Sequence, residues 1–381
     1  MRYFFLLLPL LFSACVDSYE PRLALSADVL VVEGTLSDLP ETQFVKISRS
    51  QVFDGRSYTQ ALKGVTGEVL VDGGTPVSLR ETSIGRYELP TNFRAQVGHR
   101  YQLRFRLSDG KQYESTEETM RPVARIEKVY DQFDEKALPN ATRTQFAPAN
   151  LIYLDTQDPP GERNYYRWGW TLWEAQTWCA SCQRGIFIVD DPLTGDGTCV
   201  GNRFIDPGQI YDYNCNAPCW DVFQGFDLNL FTDTYSNGNS IRGRLVAKIP
   251  YFQAQAALVE IRQYALTAGA YRYFKLFEDQ AENTGGLADT PPAPIVGNVR
   301  SLSNERENVV GYFTASGTSS VKYWLDRRNA TTLSVGLFYS LFGRQPIPEP
   351  TSVTPKGEPR PPFVRCVPGE TRTPLKPEGW R

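Results

Sequence analysis

Nineteen residues, "NYYRWGWTLWEAQTWCASC" from Asn164 to Cys182, hold four tryptophans, two tyrosines and a Cys-x-x-C pair. A second pair, Cys215 and Cys219, follows 33 residues after Cys182, with Cys199 between and Cys366 near the C-terminus. Four thiolates at such spacings could bind zinc, and a lone Cys-x-x-C could act as a redox dithiol. The redox motif belongs where a strand runs into a helix, whereas these cysteines sit among aromatic strands and Gly/Asp/Asn/Pro turns. Exposed tryptophans offer a third chemistry, a platform on which sugar rings or peptide side chains stack. A fourth reading is structural, with the rings in a core and the cysteines stapling it.

The beginning of the chain bears on that choice. "MRYFFLLLPLLFSAC" places Arg2 before an apolar run, then Ser13, Ala14 and Cys15. The run is too short to span a bilayer as a helix and has the layout of a secretory signal. A cysteine directly after the small residues has the form of a lipobox. Residues 1–14 are therefore expected to be a signal peptide, Cys15 the lipidated residue, and 15–28 a polar tether. Acyl chains bury their methylenes at about 0.8 kcal/mol each, enough in number to anchor a chain that has no membrane-spanning segment. Outside the inner membrane thiols are kept oxidised, which favours three disulfides among Cys179, Cys182, Cys199, Cys215, Cys219 and Cys366 over zinc. The spacing leaves their pairing open.

Catalytic machinery is sparse. The chain has one histidine, His99, within the strand-like "GHRYQLRFRL", so devices that need a histidine base have little to draw on. Paired carboxylates need no histidine, yet no acidic pair stands out. Asp190, Asp191 and Asp196 lack EF-hand spacing and read as turn residues. The expectation is no catalytic residue, no metal and no cofactor. Net charge is −3, and no lysine or arginine run marks a phosphate-binding face, so nucleic acid is not an expected partner.

Elements to position these residues can be read from the hydrophobic pattern. Composition is 41% hydrophobic and 13% aromatic, with 30 glycines and 27 prolines, which suits many short strands joined by turns. Over 29–122 the pattern predicts an immunoglobulin-like β-sandwich of about seven strands, including "VLVVEG", "FVKIS" and the hairpin around "SDG" at 108–110. Over 123–344 it predicts a larger β-rich domain with a loop-rich cysteine insertion at 179–220. That domain carries one packed helix at about 268–283, capped by Thr267, with Tyr271, Phe274, Phe277 and Ala281 as its core stripe and Gly285 as its stop. The tail, 345–381, has ten of the prolines but also Phe363, Cys366 and Trp380, so it is expected to dock back on the body. Tyr166, Trp168, Trp170 and Leu172 alternate onto one strand face. The pattern favours core for Trp168 and Trp170, with Trp173, Trp178 and Trp220 as further candidates for ligand contact.

The lipobox cysteine, "VVEGTLSD" (31–38), "GRYELP" (85–90), "VGHRYQLRFRLSDGKQYES" (97–115), "NYYRWGW" (164–170), "CW" (219–220), "VVGYFTASG" and the terminal stretch from Cys366 to "KPEGW" together resemble a Bacteroidota lipoprotein family. It is known only as domain of unknown function 4249. Members are often encoded beside TonB-dependent outer-membrane receptors, and the resemblance implies an accessory role in nutrient uptake. The expected protein is then a non-enzymatic, outer-membrane lipoprotein facing the cell surface. It would work with a TonB-dependent receptor on a glycan or peptide ligand. A structural or adhesive surface lipoprotein is the alternative, and a carboxylate-dependent hydrolase the third.

Overall fold

A computed structural model describes residues 28–53, 56–140, 143–225, 227–282 and 295–381. Cys15, the expected signal and nearly all of the tether lie outside the described residues, as do Gly285 and the side chain of Ala281. The described chain is mainly β. No helix among these residues is long and apolar enough to cross a membrane.

Alternating apolar residues build the first unit. In the strand Arg100–Arg106, Tyr101, Leu103 and Phe105 are buried while Arg100, Arg104 and Arg106 face out. The strand Val29–Ser37 does the same with Leu30, Val32 and Leu36. Each sends one face into a shared core, closing a sandwich of a seven-stranded and a six-stranded sheet.

The expected boundary at 122 needs correcting. Val309–Val310 and Phe313–Ser316 lie parallel to Val29–Ser37, and Val299–Ser301 pairs antiparallel with Gln112–Ser115. The stretch assigned to the second domain thus returns to cover an edge of both sandwich sheets. An uncovered edge exposes a row of unpaired backbone groups, and sequence order alone does not say which sheet a short strand will join. Gly311 makes the return possible: its φ is 98°, and a Cβ there would lie 2.0 Å from the Val32 carbonyl oxygen.

In the second unit a three-stranded sheet (Ile126–Pro139, Phe146–Gln157, Ser240–Pro250) faces a six-stranded one. Ile152, Leu154 and Ile249 from one meet Tyr166, Trp168, Leu172, Val259 and Ile261 from the other. The central strand of the larger sheet is Tyr165–Gln183, 19 residues long, or about 60 Å at the usual rise. Only its first half pairs with Ala257–Ala265; the rest pairs with Ile210–Gln224 and projects as a ribbon, edged near its base by the last strand, Arg372–Thr373, which pairs with Trp220 and Asp221.

The cysteine insertion is therefore not loop-rich. Ile210–Gln224 and the hairpin Gly185–Asp191/Asp196–Gly201 are strands, hidden from periodicity because both faces are half-exposed and their small core is shared with distant Val364. Asp191 and Asp196 work in the hairpin turn, bonding Leu193 N–H and the Thr194 hydroxyl.

The helix runs Ala268–Glu282, and Thr267 caps it by accepting the Ala270 N–H at 3.2 Å. Its core stripe differs from the one read off the spacing. Ala270 and Tyr273 are buried, Tyr271 and Phe274 half-buried, and Phe277 is 44% exposed. The helix packs through its first turns, on Tyr165 and Tyr312, and Phe277 lies beyond those ring contacts. A short second helix, Leu337–Phe342, precedes the tail.

Candidate functional site

All six described cysteines are disulfide-bonded: Cys179–Cys215, Cys182–Cys199 and Cys219–Cys366. Cys179 and Cys182 are not bonded to each other, so the Cys-x-x-C is no redox dithiol but the start of two separate staples. The first closes the long strand onto its antiparallel partner and the second fastens the hairpin. The third joins the tail to the extension across 147 residues. Sulfurs of Cys179, Cys219 and Cys366 lie within 4.8 Å of one another, so two staples are stacked side by side.

Ion pairs extend the same fastening. Arg344 pairs with Asp212 through both oxygens at 2.6 and 2.7 Å, and Arg360 does so with Glu349 at 2.6 and 2.7 Å. Tyr213 donates to the same Glu349 at 2.6 Å and accepts Phe187 N–H. Farther along, Arg365 reaches Asp196, and Arg372 reaches Asp221 at 2.6 Å. Burial opposes ionisation of Asp212, but bonds from Arg344, Ser181 and the Ile347 N–H prevail and hold its carboxyl below the ordinary range. Glu349 behaves alike, burial being outweighed by Arg360 and Tyr213. No motif spacing signals these pairs, because each joins residues that no single element brings together.

The tryptophans separate by strand parity. Trp168 is 1% exposed in the core, its indole N–H donating to Gln263 Oε1 at 2.9 Å and Arg244 lying over its ring. Trp170 is half-buried against the same core. Neither offers a platform. Trp173 is on the opposite face, half-buried, opposed by Val222 on one side and Leu258 on the other. Leu258 is opposed in turn by Trp324, and Trp220 by Ala175, two residues along the strand from Trp173. Directly opposed residues share a face, so Trp173, Trp220 and Trp324 line one outer surface of the larger sheet. Trp178 stands apart, edge-on to Phe338 of the second helix at 5.9 Å.

That outer surface is covered by the chain's own end. Trp380 lies between Trp220 and Trp324, at 5.7 and 5.2 Å between ring centroids and edge-to-face with both. None of the five tryptophans singled out in the sequence is among the exposed large apolar residues. Trp324 and Trp380 completed the set; Trp380 is one of the apolar residues from which the sequence predicts a docked tail, but its two partners are not legible there.

Two polar clusters escaped the sequence altogether. Glu174 and Arg327, both without side-chain exposure, form a bidentate pair, with Gln253 donating to Glu174 at 2.8 Å. Glu118, 4% exposed, accepts from Thr267 Oγ1 at 2.8 Å and Tyr312 OH at 3.0 Å, tying sandwich, helix cap and returning segment together. Burial pushes its carboxyl up to about 7, the two hydroxyls opposing. His99 meets Asp72 at 2.6 Å on the exposed rim of the sandwich.

These features define a β protein in two sandwiched units, with one sheet drawn out into a stapled, tail-covered extension. The family described as "Domain of unknown function (DUF4249)" matches residues 16–322, and the chain belongs to it. No curated protein and no solved structure matches the chain.

Proposed function

We propose that this is a non-enzymatic, lipid-anchored outer-membrane protein facing the cell surface, which captures a glycan or peptide ligand and serves a TonB-dependent uptake receptor. The observation that carries the reading is the extension. Its fully paired cysteines suit an oxidising compartment. Together with the tail it presents Leu193, Phe204, Val353, Phe363 and Leu375 to water at 63–95% exposure. Apolar side chains left in solvent are available to an interaction surface. The lipobox form of the segment ending at Cys15 supports the anchor.

Purification of the native protein from outer membranes is the test. An outer-membrane receptor is expected to co-purify, and Cys15→Ser is expected to release the protein into the soluble fraction. Recovery of no receptor, with tryptophan fluorescence unmoved by any glycan or peptide offered, would overturn the reading.

A further inference from the structure

We infer that the outer face bearing Trp220 and Trp324 is a peptide-binding site, held closed by the chain's own C-terminal turn. The ligand class is a peptide turn that carries an acidic residue two positions before an aromatic one. This deepens the ligand-capture reading above and rests on it for the idea that a ligand is bound.

The occupant itself supplies the argument. Pro377 to Trp380 form a tight turn closed by the Trp380 N–H donating to the Pro377 carbonyl at 3.0 Å. Gly379 has φ 90° there, a conformation only glycine takes without strain. The turn contributes one ring and one charge. Trp380 stands edge-to-face with both tryptophans, and Glu378 reaches Lys322 Nζ at 2.6 Å. The backbone of Gly379 lies close over Leu258, where an added Cβ would come within 3.7 Å of Leu258 Cδ1.

The receiving surface belongs to the sheet and the occupant does not. Trp220 and Trp324 stand on hydrogen-bonded strands of the six-stranded sheet. Trp380, by contrast, is held by a turn that follows the last strand and has no sheet partners of its own. Glu378 is 91% exposed, and an ion pair so open to water is weak. Cys366 stays bonded to Cys219 when the last residues lift away, so displacement leaves the rest of the tail in place. The indole N–H of Trp220, 6% exposed, has no acceptor while Trp380 is seated. A buried donor left unpaired is costly; a ligand that brings a carbonyl to it gains what the tail does not provide.

The test uses mature protein lacking residues 378–381 and a fluorescent peptide of sequence Lys-Pro-Glu-Gly-Trp-Arg, read by anisotropy. Saturable binding to the shortened chain is expected, at least about tenfold tighter than to the full chain, because the tethered turn competes. Trp replaced by Ala in the peptide should abolish it, and Lys322→Glu in the shortened chain should weaken it severalfold. Equal binding to both chains, or none to a shortened chain with an unchanged near-UV spectrum, would overturn the inference. Should the shortened chain misfold, full-length Trp380→Ala takes its place with the same expected and overturning outcomes. Peptide binding can fail while receptor co-purification succeeds, and the reverse, so the two readings fall separately.

Discussion

The sandwich and the extension are both built of antiparallel strands, yet they are held by different forces. In the sandwich, Leu30, Val32, Leu103, Phe105 and Phe313 from two sheets meet in one apolar core. The extension has a core of only Cys182, Phe187, Tyr213 and Val364, and it relies on three disulfides and the bidentate pairs Arg344–Asp212 and Arg360–Glu349. A two-stranded ribbon cannot bury enough apolar surface to be stable alone. Covalent and ionic links act instead, and they reach across sequence where hydrophobic periodicity does not.

The comparison can be broken most forcefully at the tail staple. Cys219→Ser with Cys366→Ser opens a loop of 147 residues, worth about 5 kcal/mol in the chain-entropy account. The extension and tail should become sensitive to limited proteolysis while the sandwich stays resistant. Simultaneous loss of both would show that they are one cooperative unit.

Phe313→Ala asks the converse. This residue, 0% exposed, belongs to the returning segment, and its truncation should cost about 3–5 kcal/mol. Hydrogen exchange should rise in Val29–Ser37, its parallel neighbour, and leave the extension unchanged. Protection lost only in the second unit would undo the corrected boundary.

The two regions should also answer pH oppositely. Glu118 has a raised carboxyl, so its stabilising contribution is complete below its ordinary value of 4.5 and is lost as pH rises through about 7. Glu118→Gln should remove on the order of 2–3 kcal/mol of that pH dependence, seen in thermal melts between those values. Asp212 and Glu349 are lowered, so the tail's fastening is present above their ordinary values and weakens as the solution becomes more acid. Tail proteolysis followed against pH checks the second limb.

The smallest effect is expected at Arg365, whose pair with Asp196 is about half exposed on both sides. Arg365→Ala should change the melting free energy by less than about 1 kcal/mol, and less again in high salt. A larger loss would mean that the surface pairs along the tail act as a network.

The strands of the sandwich were legible because alternation at Leu30/Val32 or Leu103/Phe105 records which side faces the core. Cap and start of the helix were legible at Thr267 for a similarly local reason, the need of the first N–H groups for acceptors. That the six cysteines pair was expected from their even number and the surrounding turns, and the three disulfides bear it out. Local patterns did not carry the faces of the later elements. Phe277 shares the helical spacing of Phe274 yet points away from the packed turns, and Trp173 and Trp168 differ only in parity.

By itself the sequence determined a mainly β chain, the strand-forming segments of the first sandwich, its stapled character and its family likeness, since each follows from neighbours in the chain or from composition. Only the tertiary structure decided that 299–316 completes the first sandwich, which cysteines pair, and that Trp380 closes over Trp220 and Trp324. Those contacts join distant parts of the chain: Gly34 lies beside Phe313 in a parallel ladder, and Cys219 bonds Cys366 across 147 residues. Their partners are selected by closure of sheets in space, for which no short-range pattern leaves a trace.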